Sequence, residues 1–132
     1  MVSDVAASGS GEVPGRGEGE EFPRSLHLLR HADFEQVYKQ GRRHFATHLT
    51  VFYLRRAEGG PRIGFTVPRA LGGAVERNRM RRRLREAVRR SDPRTLASVD
   101  VVMNPKKSLL AADFAELEKE VGRAFEVIRK TR

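Results

Sequence analysis

The sequence predicts an α+β domain, and three observations carry that reading. Residues 113 to 130 draw an apolar stripe at helical spacing, residues 74 to 90 form a second, strongly basic helical run, and short strand-like stretches lie on both sides of the basic run. The element order is αββαβα, and the first strand region, His44 to Arg56, is long enough to be two strands.

In the stretch HADFEQVYKQG, Phe34, Val37 and Tyr38 recur at helical spacing, Asp33 falls in the first turn and Gly41 offers a left-handed stop. From His44 to Arg56, Leu49, Val51 and Tyr53 alternate with Thr50, Phe52 and Leu54. The turn signal Glu58-Gly59-Gly60-Pro61 follows, and Arg62 to Val67 reads as the returning strand. Pro68 to Gly73 is a connection. Ala74 to Arg90 is built of strong helix formers and ends before Ser91-Asp92-Pro93. Val99 to Met103 is a short apolar strand closed by Asn104-Pro105. The last helix opens on a capping-box-like pair, Asp113 and Glu116, and its stripe is Phe114, Leu117, Val121, Phe125 and Ile128.

A chain of 132 residues has length for one domain, and 39% hydrophobic residues with nine aromatics and no tryptophan predict a modest core of Val, Leu, Ala and Phe. Residues 1–21 hold five glycines, a proline, five acids and one base, which predicts a disordered acidic tail before a domain over 22–132. The net charge is +9, and setting the tail aside leaves +13 on the domain. Such a field repels itself unless a polyanion is present, so nucleic acid is the leading partner. The absence of cysteine excludes disulfides and thiolate metal sites and fits a reducing cytoplasm. No apolar run approaches the ~18 residues of a spanning helix, so the expectation is a cytoplasmic protein with no membrane partner.

The charge concentrates in RNRMRRRLREAVRR, residues 77 to 90, with eight arginines and one acid, Glu86. Met80, Leu84, Ala87 and Val88 share one arc of the helical wheel and form a buried stripe. Arg81, Arg85 and Arg89 make a ridge beside it, with Asn78 and Arg82 nearby, while Arg79, Arg83 and Arg90 turn to the other side. A solvated face normally mixes signs. This one stacks arginine, whose planar fork grips phosphate in pairs of hydrogen bonds and stacks on bases. No helix-turn-helix companion, zinc-ligand set or leucine heptad accompanies the helix, so folded RNA is favoured over a DNA groove.

The run GGAVERNRMRRRLREAVR, preceded by IGFTVPR and, some thirty residues earlier, by DFEQVYKQG, resembles the signature of the bacterial ribonuclease P protein family over Ser25 to Arg129. That resemblance implies an αβββαβα two-layer sandwich with a four-stranded sheet, a left-handed βαβ crossover and a fold shared with domains of ribosomal proteins and elongation factor G. It implies that a catalytic RNA subunit hydrolyses the phosphodiester with Mg²⁺ held mainly by that RNA, and that the protein supplies no catalytic residue. The implied RNA-binding residues are Arg77, Asn78, Arg79, Arg81, Arg82 and Arg85. A cleft between the first helix and the sheet would receive the single-stranded 5′ leader of precursor tRNA, with Phe34 and Tyr38 on the helix, Phe52 or Tyr53 on the strand and Arg69 near the rim at the matching positions. The chain departs from the family pattern at Pro68, Gly73 and Asn104-Pro105, and the acidic tail is not a general family feature.

Other readings are weaker. His27 with His31 and His44 with His48 have i,i+4 spacing but neither the intervening Glu nor a third ligand of a zinc site. A self-contained nuclease would need clustered carboxylates, and Asp100 stands alone in its strand. Gly59, Gly60, Gly72 and Gly73 lack a nucleotide-loop pattern, so no small-molecule cofactor is expected. A ribosomal or assembly protein of the same fold is the alternative that explains the charge.

Overall fold

The computed structural model describes residues 31–131, so the expected tail, the expected start of order near Phe22 to Leu29 and the His27 pairing lie outside the described residues. The chain forms helix α1 (His31–Gln40), strands β1 (Arg42–Phe45), β2 (Leu49–Arg55) and β3 (Arg62–Phe65), helix α2 (Ala74–Arg90), strand β4 (Val99–Pro105) and helix α3 (Phe114–Lys130). Short 3₁₀ turns occupy Arg69–Leu71, Pro93–Leu96 and Lys107–Ala111. The first strand region is two strands, giving αβββαβα.

The sheet order is β1-β2-β4-β3, with β4 antiparallel to β2 and parallel to β3. Arg62–Phe65 therefore does not return beside β2, as the Gly-Gly-Pro turn suggested; β4 enters between them. Burial explains the order. Six of the seven β4 residues are buried, and so apolar a strand gains most from neighbours on both sides.

Side-chain parity divides the sheet into two faces. Leu49, Val51, Tyr53, Ile63, Phe65, Val101 and Met103 join Met80, Leu84, Ala87 and Val88 of α2 and Leu117, Val121, Phe125 and Ile128 of α3 in the main core. The opposite parity, Phe52, Leu54 and Val102, packs against Phe34, Val37 and Tyr38 of α1. The sheet and the α2–α3 pair are the two principal layers, and α1 lies across part of the other face.

Gly41 is not in the left-handed region. Its role is clearance: a Cβ there would stand 2.5 Å from the Val37 carbonyl oxygen and 2.6 Å from that of Tyr53, so only glycine lets the chain pass from α1 into β1. The capping box expected at Asp113 does not form, because Asp113 makes no side-chain cap bond. The reciprocal bond occurs instead at α2, where Glu76 Oε1 accepts the Gly73 N–H at 3.0 Å. Gly72, at φ 148°, sits against Glu76 and admits that turn.

Asp100, the single acid of β4, is paired with two arginines. Buried in β4, it accepts Arg56 Nε at 2.7 Å and Arg62 Nε and Nη2 at 2.8 and 2.9 Å. Arg62 also reaches Asp33 at 3.5 Å, which fastens the start of α1 to β3. The Asp100 bonds hold the Arg62 guanidinium above its ordinary pKa. A second inward cation, Arg55, caps α3 by donating to the carbonyls of Ile128 and Thr131 and ties that end to the Leu96 carbonyl of the Pro93–Leu96 turn (2.9 Å).

Candidate RNA interface

The predicted stripe of α2 is buried, as Met80, Leu84, Ala87 and Val88 all lie in the core, and this fixes which arginines can meet a partner. They separate into two groups. Arg83 is structural: it donates to the carbonyls of Leu109 (2.7 Å), Leu110 (3.0 Å) and Ala112 (2.6 Å), tying α2 to the turn before α3. Arg89 and Arg90 converge on Glu86 at 2.5 and 2.9 Å, and Arg90 also lies over the Phe114 ring. These bonds hold the Glu86 carboxyl below its ordinary value, with Arg89 the largest cause.

The other group lies over the first turns. Arg77 Nε donates to the Gly72 carbonyl at 3.2 Å, and Arg81 Nη1 donates to Asn78 Oδ1 at 2.8 Å. Asn78, inside α2, thus braces Arg81 three residues on. Arg79 and Arg82 are exposed, while Arg81 and Arg85 are half-buried along the edge of the stripe. Residues 77–85 hold six arginines and no acid, and the N-terminal end of the α2 dipole adds to their positive field. A surface built this way attracts phosphate groups without reading a base sequence.

The second surface is the uncovered part of the α1 face. The Tyr38 phenol reaches across the sheet to Thr66 Oγ1 (2.7 Å) and Asn104 Oδ1 (3.1 Å), and its ring meets Phe52 edge-on with centroids 4.9 Å apart. Burial raises the phenol pKa against the opposing pull of those two hydrogen bonds. Register places Phe45, Thr50 and Asn104 side by side across β1, β2 and β4, with Thr66 just past the end of β3; Tyr38 covers the Asn104 and Thr66 end of this row and leaves Phe45 exposed at the other. This row, with the Tyr38–Phe52 ring pair beside it, is the candidate groove for an extended strand.

Two of the expected cleft residues do not line it. Phe34 is 1% exposed beneath α1, and Tyr53, 5% exposed, faces the α2–α3 core with its hydroxyl toward Thr131. Parity in β2 decides between Phe52 and Tyr53, and it selects Phe52. Arg69 is exposed on the turn three residues after Thr66. The sequence reading did not place Arg43, Phe45, Thr50, Thr66 and Asn104 on this face, although the even parity of Thr50 and Phe52 in β2 was the signal that could have placed Thr50 there.

Among the described residues no group of three His, Asp or Glu side chains is placed to hold a metal ion, and no helix is long and apolar enough to cross a membrane. His48 instead bonds Ser108 Oγ through Nδ1 at 2.8 Å, with Glu116 3.7 Å from Nε2.

A four-stranded mixed sheet with an arginine-rich helix on one side and an aromatic pair on the other defines an α+β protein of a kind suited to RNA. Comparison with known proteins gives the family. The model for ribonuclease P matches residues 22–129. The ribonuclease P protein component of Symbiobacterium thermophilum is 42% identical over 104 residues, covering 78% of this chain and 90% of its own. That of Acidothermus cellulolyticus is 38% identical over 114 residues, covering 84% and 94%. The chain belongs to the ribonuclease P protein component family. Its fold is that of the Thermotoga maritima ribonuclease P protein, with TM-score 0.65 at 23% identity over 79% of this chain and 96% of the other. A Staphylococcus aureus ribonuclease P protein mutant gives 0.67 at 20% identity over 76% and 85%.

Proposed function

We propose that this chain is the protein subunit of a ribonuclease P ribonucleoprotein, binding the catalytic RNA through α2 and the 5′ leader of precursor tRNA through the groove beside α1. The observation that carries the reading is the division of the arginines. Arg83 ties α2 to the turn before α3 and Arg89 and Arg90 are paired with Glu86, whereas Arg79 and Arg82 project from the acid-free first turns and Arg77, Arg81 and Arg85, with bonds of their own, flank them where phosphates can approach.

In this account the RNA subunit performs the endonucleolytic cut with Mg²⁺ that it binds itself, and the protein alone does not cleave. Phosphate neutralisation by α2 offsets repulsion between the two RNAs, and the groove holds the leader strand upstream of the scissile bond. Tyr38 builds the groove wall together with Phe52 and ties that wall to Thr66 and Asn104 on the floor. The product is the mature tRNA 5′ end, and the compartment is the cytoplasm.

Equilibrium binding tests the reading against a ribosomal or assembly role. The protein should bind a bacterial ribonuclease P RNA more tightly than a ribosomal RNA fragment of equal length, at matched salt. Equal or reversed preference would contradict it.

A further inference from the structure

The aromatic wall of the groove continues past α1 to the outer edge of the sheet. Phe52, which meets Tyr38 edge-on, has the Arg43 guanidinium 5.9 Å from its ring centroid, and the same guanidinium is 5.7 Å from the centroid of Phe45. Arg43 pairs with Phe52 and Phe45 with Thr50 in the β1–β2 register, so both β1 side chains stand on the α1 face. Phe45 is 66% exposed, one of two large apolar side chains so placed among the described residues.

We propose that Phe45, braced by Arg43, is a stacking platform for one unpaired base of the leader strand at the β1 edge of the groove. This rests on the reading of that groove as the leader site and adds to it a nucleotide position beyond Phe52.

A single exposed phenylalanine is ordinary on a protein surface. Phe45 differs because it ends a line, Tyr38 to Phe52 to Arg43 to Phe45, in which a cation bridges aromatic rings. Arg43 lies over one face of the Phe45 ring and leaves the other for a base, while its charge is available to the neighbouring phosphate. β1 carries Arg42, Arg43 and His44 and no acid, so the edge favours an anionic strand over a basic or apolar peptide. The partner must be single-stranded, since a base inside a duplex already has both faces stacked.

The test uses holoenzyme reconstituted from the full chain and a bacterial ribonuclease P RNA. Affinities are measured for a precursor tRNA with a single-stranded leader and for the same tRNA without it. Phe45→Ala should weaken precursor binding by about 5- to 150-fold, the range for removing one base–aromatic stack. Binding of the mature tRNA and of the RNA subunit should not move. Phe45→Trp should bind precursor as the wild type does, and Phe45→Leu, apolar but without a π face, should be as weak as Phe45→Ala.

Precursor binding by Phe45→Ala or Phe45→Leu equal to wild type overturns the platform while the groove reading stands, provided the wild type still prefers precursor. An equal weakening for both tRNAs overturns it as well, because the defect is then not in leader contact. No precursor preference in the wild-type holoenzyme removes the groove reading and the platform together.

Discussion

The Tyr38 hydroxyl lies 2.7 Å from Oγ1 of Thr66, 28 residues along the chain, and so bolts α1 to the far edge of the sheet. Tyr38 has one proton to give. It donates to Asn104 Oδ1, so Thr66, itself 2% exposed, donates to the phenol oxygen. The helix is thereby held over the Asn104 and Thr66 end of the candidate groove, and Phe45 at the other end is left exposed.

Tyr38→Phe keeps the ring against Phe52 and removes both hydrogen bonds. It should cost about 1–3 kcal/mol, since buried Thr66 is then without its partner. Urea unfolding measures this directly, and an unchanged midpoint would show that the bolt contributes nothing.

Arg79→Ala with Arg82→Ala should leave stability within about 0.5 kcal/mol, as expected of exposed positions. RNA affinity should fall, and the slope of log affinity against log salt should flatten by about 0.7–0.9 for each phosphate that is no longer neutralised. A salt titration with an unchanged slope would remove these two from the interface. The Arg81→Ala, Arg85→Ala pair should flatten the slope in the same way.

Arg83→Ala is the contrasting case. Three carbonyl acceptors before α3 are deprived of a charged donor, so the substitution should destabilise by about 1.5–3 kcal/mol. At temperatures where the variant is folded, its salt slope for RNA should match wild type. A normal melting temperature with a flattened slope would move Arg83 into the interface.

Glu86 predicts a pH dependence. Its folded pKa lies below the ordinary 4.5, chiefly through Arg89, so the folded state binds the proton less readily than the unfolded chain does. The resulting stability is present above the unfolded value and is lost as pH falls through the folded one. Glu86→Gln should therefore melt below wild type at pH 7, with the gap closing as pH drops from 4.5 toward the folded pKa. A gap that persists in acid would mean that Glu86 acts through packing rather than charge.

The helices were legible because their signals are local. The wheel positions of Met80, Leu84, Ala87 and Val88 mark the buried side of α2 without reference to anything else in the chain, and the bounds Ala74 to Arg90 follow from the turn residues on either side. Sheet order was not legible. Nothing near Gly59-Gly60-Pro61 records that a strand some forty residues later will separate β2 from β3. The arginines show the same division: their number in α2 announces an RNA partner, but Arg83 is recognised as structural only when the carbonyls of Leu109, Leu110 and Ala112 come into view. Phe34 and Tyr38 share a spacing that suits either core or cleft, and only the packed sheet assigns Phe34 to the core.

The central claim is that this protein assists an RNA catalyst on precursor tRNA. Its most direct test is cleavage of precursor tRNA by a bacterial ribonuclease P RNA at low Mg²⁺, with the protein added and with each component alone. The account predicts cleavage at the mature 5′ end in the mixture only. Cleavage by the protein alone, or no rescue of the RNA despite tight binding, would contradict it.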